Sequence, residues 1–219
     1  MTPKLLEVED LRVHFPTEDG VVKAVDGISY SVDRGQVLGI VGESGSGKSV
    51  SNLTIMGLTR SRSADISGRA VFEGRDLLTL GNEEMRRVRG DDIAMIFQDP
   101  LSSLHPFYKV GRQLVEAIRA HRDVSKAQAL DRAIDLLGLV GIPEPRQRVD
   151  HYPHEFSGGM RQRAMIAMAL SNEPKVLIAD EPTTALDVTV QAQILDLIAR
   201  LKDELGMAVI ITTAMWSSR

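Results

Sequence analysis

A glycine-rich segment, GESGSGKS at residues 42–49, separates an apolar run from a helical pattern at residues 47–58. Its spacing, G-x-x-x-x-G-K-S between a strand and a helix, is that of a phosphate-binding loop. Glycines let successive backbone N–H groups point at one anion, and the helix adds the positive end of its dipole. We expect Lys48 to reach the β- and γ-phosphate oxygens and Ser49 to ligate Mg²⁺. The other predicted phosphate-binding residues are Gly42, Glu43, Ser44, Gly45, Ser46 and Gly47.

Three apolar runs predict buried parallel strands: VLGIV before the loop, KVLIAD at 175–180 and MAVIIT at 207–212. Because helical patterns separate them, we expect an α/β fold with a mainly parallel sheet, and VLGIV covered on both faces. Two earlier segments, at 5–15 and 21–32, alternate apolar and polar residues and predict an antiparallel sheet. The helical patterns in residues 100–172, approximately, predict a helical insertion.

Composition narrows the class of protein further. The chain has 219 residues, 43% of them hydrophobic, which is enough for one large domain or two small lobes. It has no cysteine, which excludes disulfides and thiolate chemistry, and we expect a cytosolic protein. A net charge of −4 gives no overall sign of nucleic-acid binding. No apolar run approaches the roughly 20 residues of a membrane-spanning helix, so any membrane connection would go through a partner.

Two acids, Asp180 and Glu181, follow the second apolar strand, at the sheet edge where α/β proteins bind ligands. Neighbouring side chains on an extended chain point in opposite directions, so the two acids can differ in role. We expect Asp180 to hold Mg²⁺ and Glu181 to polarise an attacking water. The alternative is a solvated acidic strand end. Gln98, at the end of IAMIF, could touch Mg²⁺ or the water, although a turn residue is the simpler interpretation of its spacing.

A second anion-binding surface is predicted at FSGGMRQR, residues 156–163, where Ser157, Gly158 and Gly159 begin a helix. One nucleotide has one γ-phosphate, which the first loop already receives. This surface would therefore serve the nucleotide of another chain, in a head-to-tail dimer with ATP at both interfaces. The alternative is an ordinary helix cap followed by glycines.

Together these motifs resemble the ATP-binding cassette family, the P-loop NTPase subunits of membrane transporters. The resemblance covers GESGSGKS, Gln98, FSGGMRQR and VLIADEP in the family's order. It implies ATP and Mg²⁺ as ligands, with Phe15 stacked on adenine, and Mg²⁺ on Ser49, Gln98 and Asp180. It also implies that Met160 joins Ser157, Gly158 and Gly159 at the partner's ATP. Asp187, in Ala185-Leu186-Asp187, would lie where two subunits meet.

The resemblance implies one nucleotide-binding domain at residues 1–212. Its RecA-like core and β subdomain would take about 1–99 and 173–212, and a helical signature subdomain about 100–172. Residues 213–219, which include Trp216, resemble nothing in the family and are an atypical tail.

Within the family, the chain most resembles the dipeptide, oligopeptide and nickel importer branch. The resemblance is carried by MIFQDPLSSLHPFYKVG and by YPHE before the signature. It implies a peripheral ATPase subunit on the cytoplasmic face of the membrane. The expected partners are a second ATPase subunit, permease subunits that dock near residues 98–112 and, indirectly, a solute-binding protein. Nucleic acid is not an expected partner.

Two departures from the family leave alternatives open. The histidine that senses the γ-phosphate in the family is replaced by Thr213, and the family's sequence continues well past Arg219. One alternative is a truncated, catalytically impaired nucleotide-binding module. Another is a soluble cassette ATPase acting on nucleic acid or ribosomes, which the short helical insertion disfavours.

Overall fold

Two four-stranded sheets organise the chain in the computed structural model, which describes residues 4–60, 64–98, 103–184 and 186–214. The strands are β1 (Leu6–Thr17), β2 (Gly20–Val32), β3 (Val37–Gly42), β4 (Asp65–Phe72), β5 (Arg75–Asp76), β6 (Ile93–Ile96), β7 (Val176–Asp180) and β8 (Ala208–Ala214). One sheet has the order β2-β1-β4-β5 and is antiparallel. The other has the order β3-β8-β7-β6 and is parallel. Both predicted sheets are confirmed.

Seven α-helices are described, most of them around the parallel sheet. They are α1 (Lys48–Ile55), α2 (Asn82–Asp91), α3 (Val110–Arg119), α4 (Lys126–Leu139), α5 (Pro145–Arg148), α6 (Gly158–Ala169) and α7 (Val188–Leu205). Ser125 caps α4, because its side chain accepts a hydrogen bond from the Gln128 N–H. Short 3₁₀ turns cover Leu77–Thr79 and Pro153–Glu155.

The parallel sheet separates two hydrophobic cores. On β7, Leu177 and Ala179 pack into a core formed mainly with α3, α4, α6 and α7. Val176 and Ile178 face the other core, which includes α1 and the antiparallel sheet. This alternation explains why every residue of β7 is buried and why the four residues before Asp180 are all apolar.

The prediction that VLGIV is covered on both faces is wrong. β3 pairs with β8 on one side and lies at the edge of the described sheet. Val37 and Val41 are 53% and 58% exposed, because alternate side chains on one face of β3 have little packed over them. An apolar run indicates a strand, but it does not report whether that strand is central or at an edge.

Charged side chains join the two sheets at the end opposite the phosphate loop. Lys175, just before β7, lies 2.7 Å from the Glu73 carboxylate of the β4–β5 turn and 3.0 Å from the Asp92 carboxylate before β6.

Within the described residues, no helix is both long and apolar enough to cross a membrane.

Candidate functional site

The loop between β3 and α1 holds Lys48 in a fixed position. The Lys48 side chain is nearly buried, and its Nζ donates hydrogen bonds of 2.8 Å to the carbonyl oxygens of Gly42 and Glu43. Gly47 has a φ of 87°, and a Cβ there would lie 2.0 Å from the Ala24 carbonyl oxygen. Only glycine fits this close approach of loop and β2.

The start of α1 fits a phosphate group. Its N-cap is Gly47, so no side chain caps the first N–H groups, and no acidic residue lies in the first turn. Those N–H groups and the helix dipole favour an anion at this point. The Ser49 hydroxyl makes no hydrogen bond to any described residue and is free to bind a cation. The predicted ligands therefore suit a nucleoside phosphate with Mg²⁺.

Asp180 ends β7 as a buried carboxylate, 3% exposed. Its Oδ1 accepts a 2.6 Å hydrogen bond from the Thr212 hydroxyl on β8 and a 3.3 Å bond from the Asn52 amide on α1. Charge-assisted bonds of this kind fix a carboxylate in one orientation. Asp180 therefore faces α1, the helix that carries the predicted Mg²⁺ ligand Ser49.

Glu181 points to the phosphate loop from the other side of the same strand end. One carboxylate oxygen accepts hydrogen bonds from the Gln98 amide at 2.9 Å and the Thr184 hydroxyl at 3.1 Å. The other lies 3.5 Å from Lys48 Nζ. The structure thus brings Lys48, Gln98 and Glu181 together. It also rejects the solvated strand end, because Glu181 is only 8% exposed.

The backbone of Glu181 is in an unusual conformation. Its φ is 47°, a left-handed value that residues other than glycine rarely adopt. The Glu181 N–H is bonded to Thr212 on β8, to the carbonyl oxygen at 3.2 Å and the hydroxyl at 3.1 Å. Such a conformation persists where surrounding contacts hold it, and it is a common feature of functional sites.

The predicted signature segment lies at the start of α6, next to the start of α7. Ser157 caps α6 by accepting a 3.3 Å hydrogen bond from the Met160 N–H, so the simple capping interpretation is correct within one chain. A Cβ added to Gly158 would contact Leu186, and one added to Gly159 would contact Val190.

Asp187 caps α7 in the same way, through a 3.0 Å bond from the Val190 N–H. Ala185 of the predicted contact loop lies outside the described residues.

Phe15 lies on β1 opposite Val22 of β2 and packs in part against the core of the antiparallel sheet. The rest of its side chain is exposed. Adenine stacking on Phe15 stays a prediction.

Four residues of the site were missed by the sequence reasoning: Asn52, Thr184, Thr212 and Gln162. Asn52 lies four residues after Lys48, on the helix that carries it, and this spacing could have found it. Thr212 aligns with Asp180 in the β7–β8 ladder, a register that periodicity does not reveal. Thr184 and Gln162 depend on how the chain folds after β7, and no local pattern signals them.

Comparison with known proteins identifies the family. The family model described as "ABC transporter" matches residues 25–184, most of the chain. The chain belongs to the ABC transporter family. The predicted P-loop NTPase fold and the resemblance to this family are thereby confirmed.

Relatives of this ABC protein include peptide-transport ATP-binding proteins. A probable peptide ABC transporter ATP-binding protein of Sinorhizobium fredii, y4tR, is 56% identical over 95% of this chain and 63% of its own length. The dipeptide transport ATP-binding protein DppD of Escherichia coli is 54% identical over 95% of this chain and 64% of its own. The oligopeptide transport ATP-binding protein OppD of Bacillus subtilis is 53% identical over 96% and 59%. The chain therefore spans less than two thirds of the length of these relatives.

Solved structures agree with the ABC fold. The dimeric ATP-binding cassette MJ0796, in a post-hydrolysis state bound to ADP and Pi, superposes with a TM-score of 0.82 at 27% identity, covering 95% of this chain and 87% of that one. The cbiO1 protein of Clostridium perfringens, part of the complex cbiONQ, gives a TM-score of 0.79 at 29% identity, covering 97% and 79%.

Proposed function

We propose that this chain is the ATP-binding and hydrolysing part of a subunit that energises a membrane importer for short peptides. The observation that carries the proposal is the constellation at one sheet edge, where Lys48 contacts Glu181 and Asp180 lies buried beside α1. The peptide transport systems named for the relatives supply the substrate class.

The chemistry follows from the positions of these side chains. ATP would place its phosphates against residues 42–49, and Lys48 would exchange its contacts with Gly42 and Glu43 for phosphate oxygens. Ser49, Gln98 and Asp180 would hold Mg²⁺, which neutralises charge on the phosphates. Glu181, oriented by Gln98 and Thr184, would polarise the attacking water. Phe15 would stack on the adenine.

A second ATPase subunit would complete the site. Ser157, Gly158, Gly159 and Met160 begin α6, whose N-terminal end can receive an anion. The neighbour MJ0796 is dimeric and bound to ADP and Pi, which supports this arrangement. Asp187 would contact the partner subunit from the start of α7.

A groove in the described structure supports the docking of a permease. It has a volume of about 690 Å³ and lies between α2 and β6 on one side and α3 and α6 on the other. Its lining is largely apolar and includes Met95, Phe97, Met165 and Met168. A permease helix seated there would hold the subunit at the cytoplasmic face of the membrane, with a solute-binding protein on the other side. Residues 99–102 of the predicted docking segment lie outside the described residues.

The same proposal includes the division of the chain into subdomains. The helical signature subdomain would take about residues 100–172, between the two parts of the RecA-like core. β8 continues through Ala214, two residues beyond the proposed core boundary, and residues 215–219 of the proposed tail lie outside the described residues.

A second candidate is a nucleotide-binding module without turnover. It is favoured by Thr213, which stands where the family resemblance places a histidine. The exposed Thr213 hydroxyl lies 3.5 Å from the Ala214 carbonyl oxygen. A threonine there cannot exchange protons as an imidazole does.

Steady-state ATP hydrolysis and nucleotide affinity distinguish the two candidates. We expect the Glu181→Gln variant to lose about 10²- to 10⁴-fold in kcat while keeping its affinity, since it removes only a proton acceptor. Lys48→Ala removes charge-assisted bonds to phosphate and should weaken binding by at least about 10-fold. Glu204→Gln on the exposed end of α7 is the matched control and should behave as wild type.

Nucleotide binding without turnover above the Glu181→Gln background would establish the second candidate. Unchanged affinity in Lys48→Ala would contradict the phosphate-loop assignment itself.

A further inference from the structure

Gln162 is a buried polar residue in the middle of α6 that the proposed chemistry does not use. Its side chain is 1% exposed, and its amide Nε2 donates a 2.6 Å hydrogen bond to the carbonyl oxygen of Pro182. Pro182 follows Glu181 directly in the chain. This bond therefore links the helix that carries the signature residues to the turn that carries the water-polarising carboxylate.

The bond is the second of two contacts that hold the backbone on either side of Glu181. On one side, the Glu181 N–H is held by Thr212 of β8. On the other, the carbonyl of the next residue is held by Gln162 of α6. Since Glu181 has a φ of 47°, its conformation depends on such outside contacts and changes when one of them moves.

Helix α6 also connects Gln162 with the start of the signature. Ser157, the N-cap, is five residues before Gln162, which corresponds to about 7.5 Å along a helix axis. A regular helix moves as one body over this length. A ligand that shifts or steadies the N-terminal end of α6 therefore shifts or steadies the amide on Pro182.

We propose that Gln162 is a positioning residue that couples the nucleotide bound by the partner subunit to the orientation of Glu181 in its own chain. The inference rests on the proposed function, in which the start of α6 meets the partner's ATP. It gives each site a route for sensing whether the other is filled, through contacts inside a single chain. Its consequence is positive cooperativity in ATP hydrolysis.

The first test replaces Gln162 by methionine, which has a similar volume and no donor. We expect Gln162→Met to lower kcat about 10-fold, to bring the Hill coefficient for ATP from above 1 to about 1, and to leave nucleotide affinity within about 2-fold of wild type. The control is Arg163→Met on the same helix, which removes a 2.6 Å bond from the Arg163 guanidinium to the Val140 carbonyl oxygen. It should keep the wild-type kcat and Hill coefficient.

A second variant, Gln162→Glu, separates positioning from general stability. A buried carboxyl titrates above its usual range and can donate its O–H to the Pro182 carbonyl only while protonated. The ratio of its kcat to the wild-type kcat should therefore be highest near pH 6 and fall as the pH rises, while the melting temperature at each pH is recorded alongside.

The outcomes are separable. Wild-type turnover no higher than that of Glu181→Gln would overturn the proposed function and the coupling with it. Normal wild-type turnover, with Gln162→Met retaining its kcat and Hill coefficient, would overturn the coupling alone. The same holds if Arg163→Met loses as much as Gln162→Met, or if the Gln162→Glu ratio does not change with pH.

Discussion

One hydroxyl, that of Thr212, serves two residues of the site. It donates to Asp180 Oδ1 at 2.6 Å and accepts from the Glu181 N–H at 3.1 Å, in a position without solvent exposure. A hydroxyl can do both at once, whereas an aliphatic side chain of the same shape can do neither. Thr212 therefore fixes the two adjacent acids relative to each other.

The Thr212→Val variant should lower the free energy of unfolding by about 2 to 3 kcal/mol, because a bond to a charged group is lost and its partner stays buried. Thr213→Val is the matched control, and its exposed hydroxyl predicts a change within about 0.5 kcal/mol. Urea denaturation of both variants measures the difference. Equal losses in the two would contradict this role.

Gly47 is a second residue whose identity is set by its surroundings. Gly47→Ala should cost about 3 to 5 kcal/mol, since the φ of 87° is left-handed and the added Cβ would overlap the Ala24 carbonyl oxygen. Gly35→Ala shares the left-handed strain, at a φ of 71°, but no atom of the described residues lies within 4 Å of the added Cβ, so about 1 to 2 kcal/mol is expected. Thermal unfolding measured side by side would refute the close-approach argument if the two costs were the same.

At the scale of elements, the ion pairs around Lys175 join strands from different sheets. Its ammonium contacts Glu73 and Asp92, while Arg34 pairs with Glu73 and Arg75 pairs with Asp92 at 3.1 Å. Hydrogen bonds to Glu73 and then to Asp92 raise the pKa of Lys175 above its usual 10.5. A raised pKa means that the folded state binds this proton more tightly than the unfolded state does.

The contribution of Lys175 to stability should therefore be complete below pH 10.5 and disappear as the pH rises through the higher folded-state pKa. Because the side chain is 37% exposed, we expect at most about 1 kcal/mol between wild type and Lys175→Met. Urea denaturation from about pH 8 to about pH 12, which brackets the titration of a lysine, measures that difference. A difference that stays constant across this range would refute the linkage.

The bounds of elements with a regular spacing of apolar residues could be predicted from the sequence. Contacts between distant segments could not. The amphipathic pattern from Val188 to Leu205 gives α7 its observed bounds. Lys48, Asp180 and Glu181 were predictable because parallel strands bring their carboxyl ends to one edge. The Gln162 contact with Pro182 joins residues 20 apart through tertiary packing, which no local pattern encodes. The exposure of β3 was missed for the same reason.

At the scale of the whole molecule, the open edge of β3 is a surface on which chains can associate. Its outer edge has no partner among the described strands, and Val37 and Val41 are exposed on its face. Unpaired apolar strand edges promote pairing between chains, and a lysine on such an edge opposes it.

Val37→Lys should therefore reduce concentration-dependent association measured by sedimentation velocity without nucleotide. Leu195→Lys removes a comparably apolar side chain, 41% exposed, from the helix α7, which offers no strand edge. It should associate as wild type does. If both variants suppress association equally, exposed apolar area is responsible and the strand edge is not.

The sheet order also has a consequence for synthesis on the ribosome. β3 pairs with β8 in the described sheet, and the paired residues Val37 and Val209 are separated by most of the chain. At a translation rate of about 5 to 20 residues per second, the strand that leads into the phosphate loop waits roughly 10 to 30 s for this neighbour to be made. During that interval the nascent chain carries an apolar strand that is not yet paired with β8, so chaperone binding should be strongest before β8 emerges.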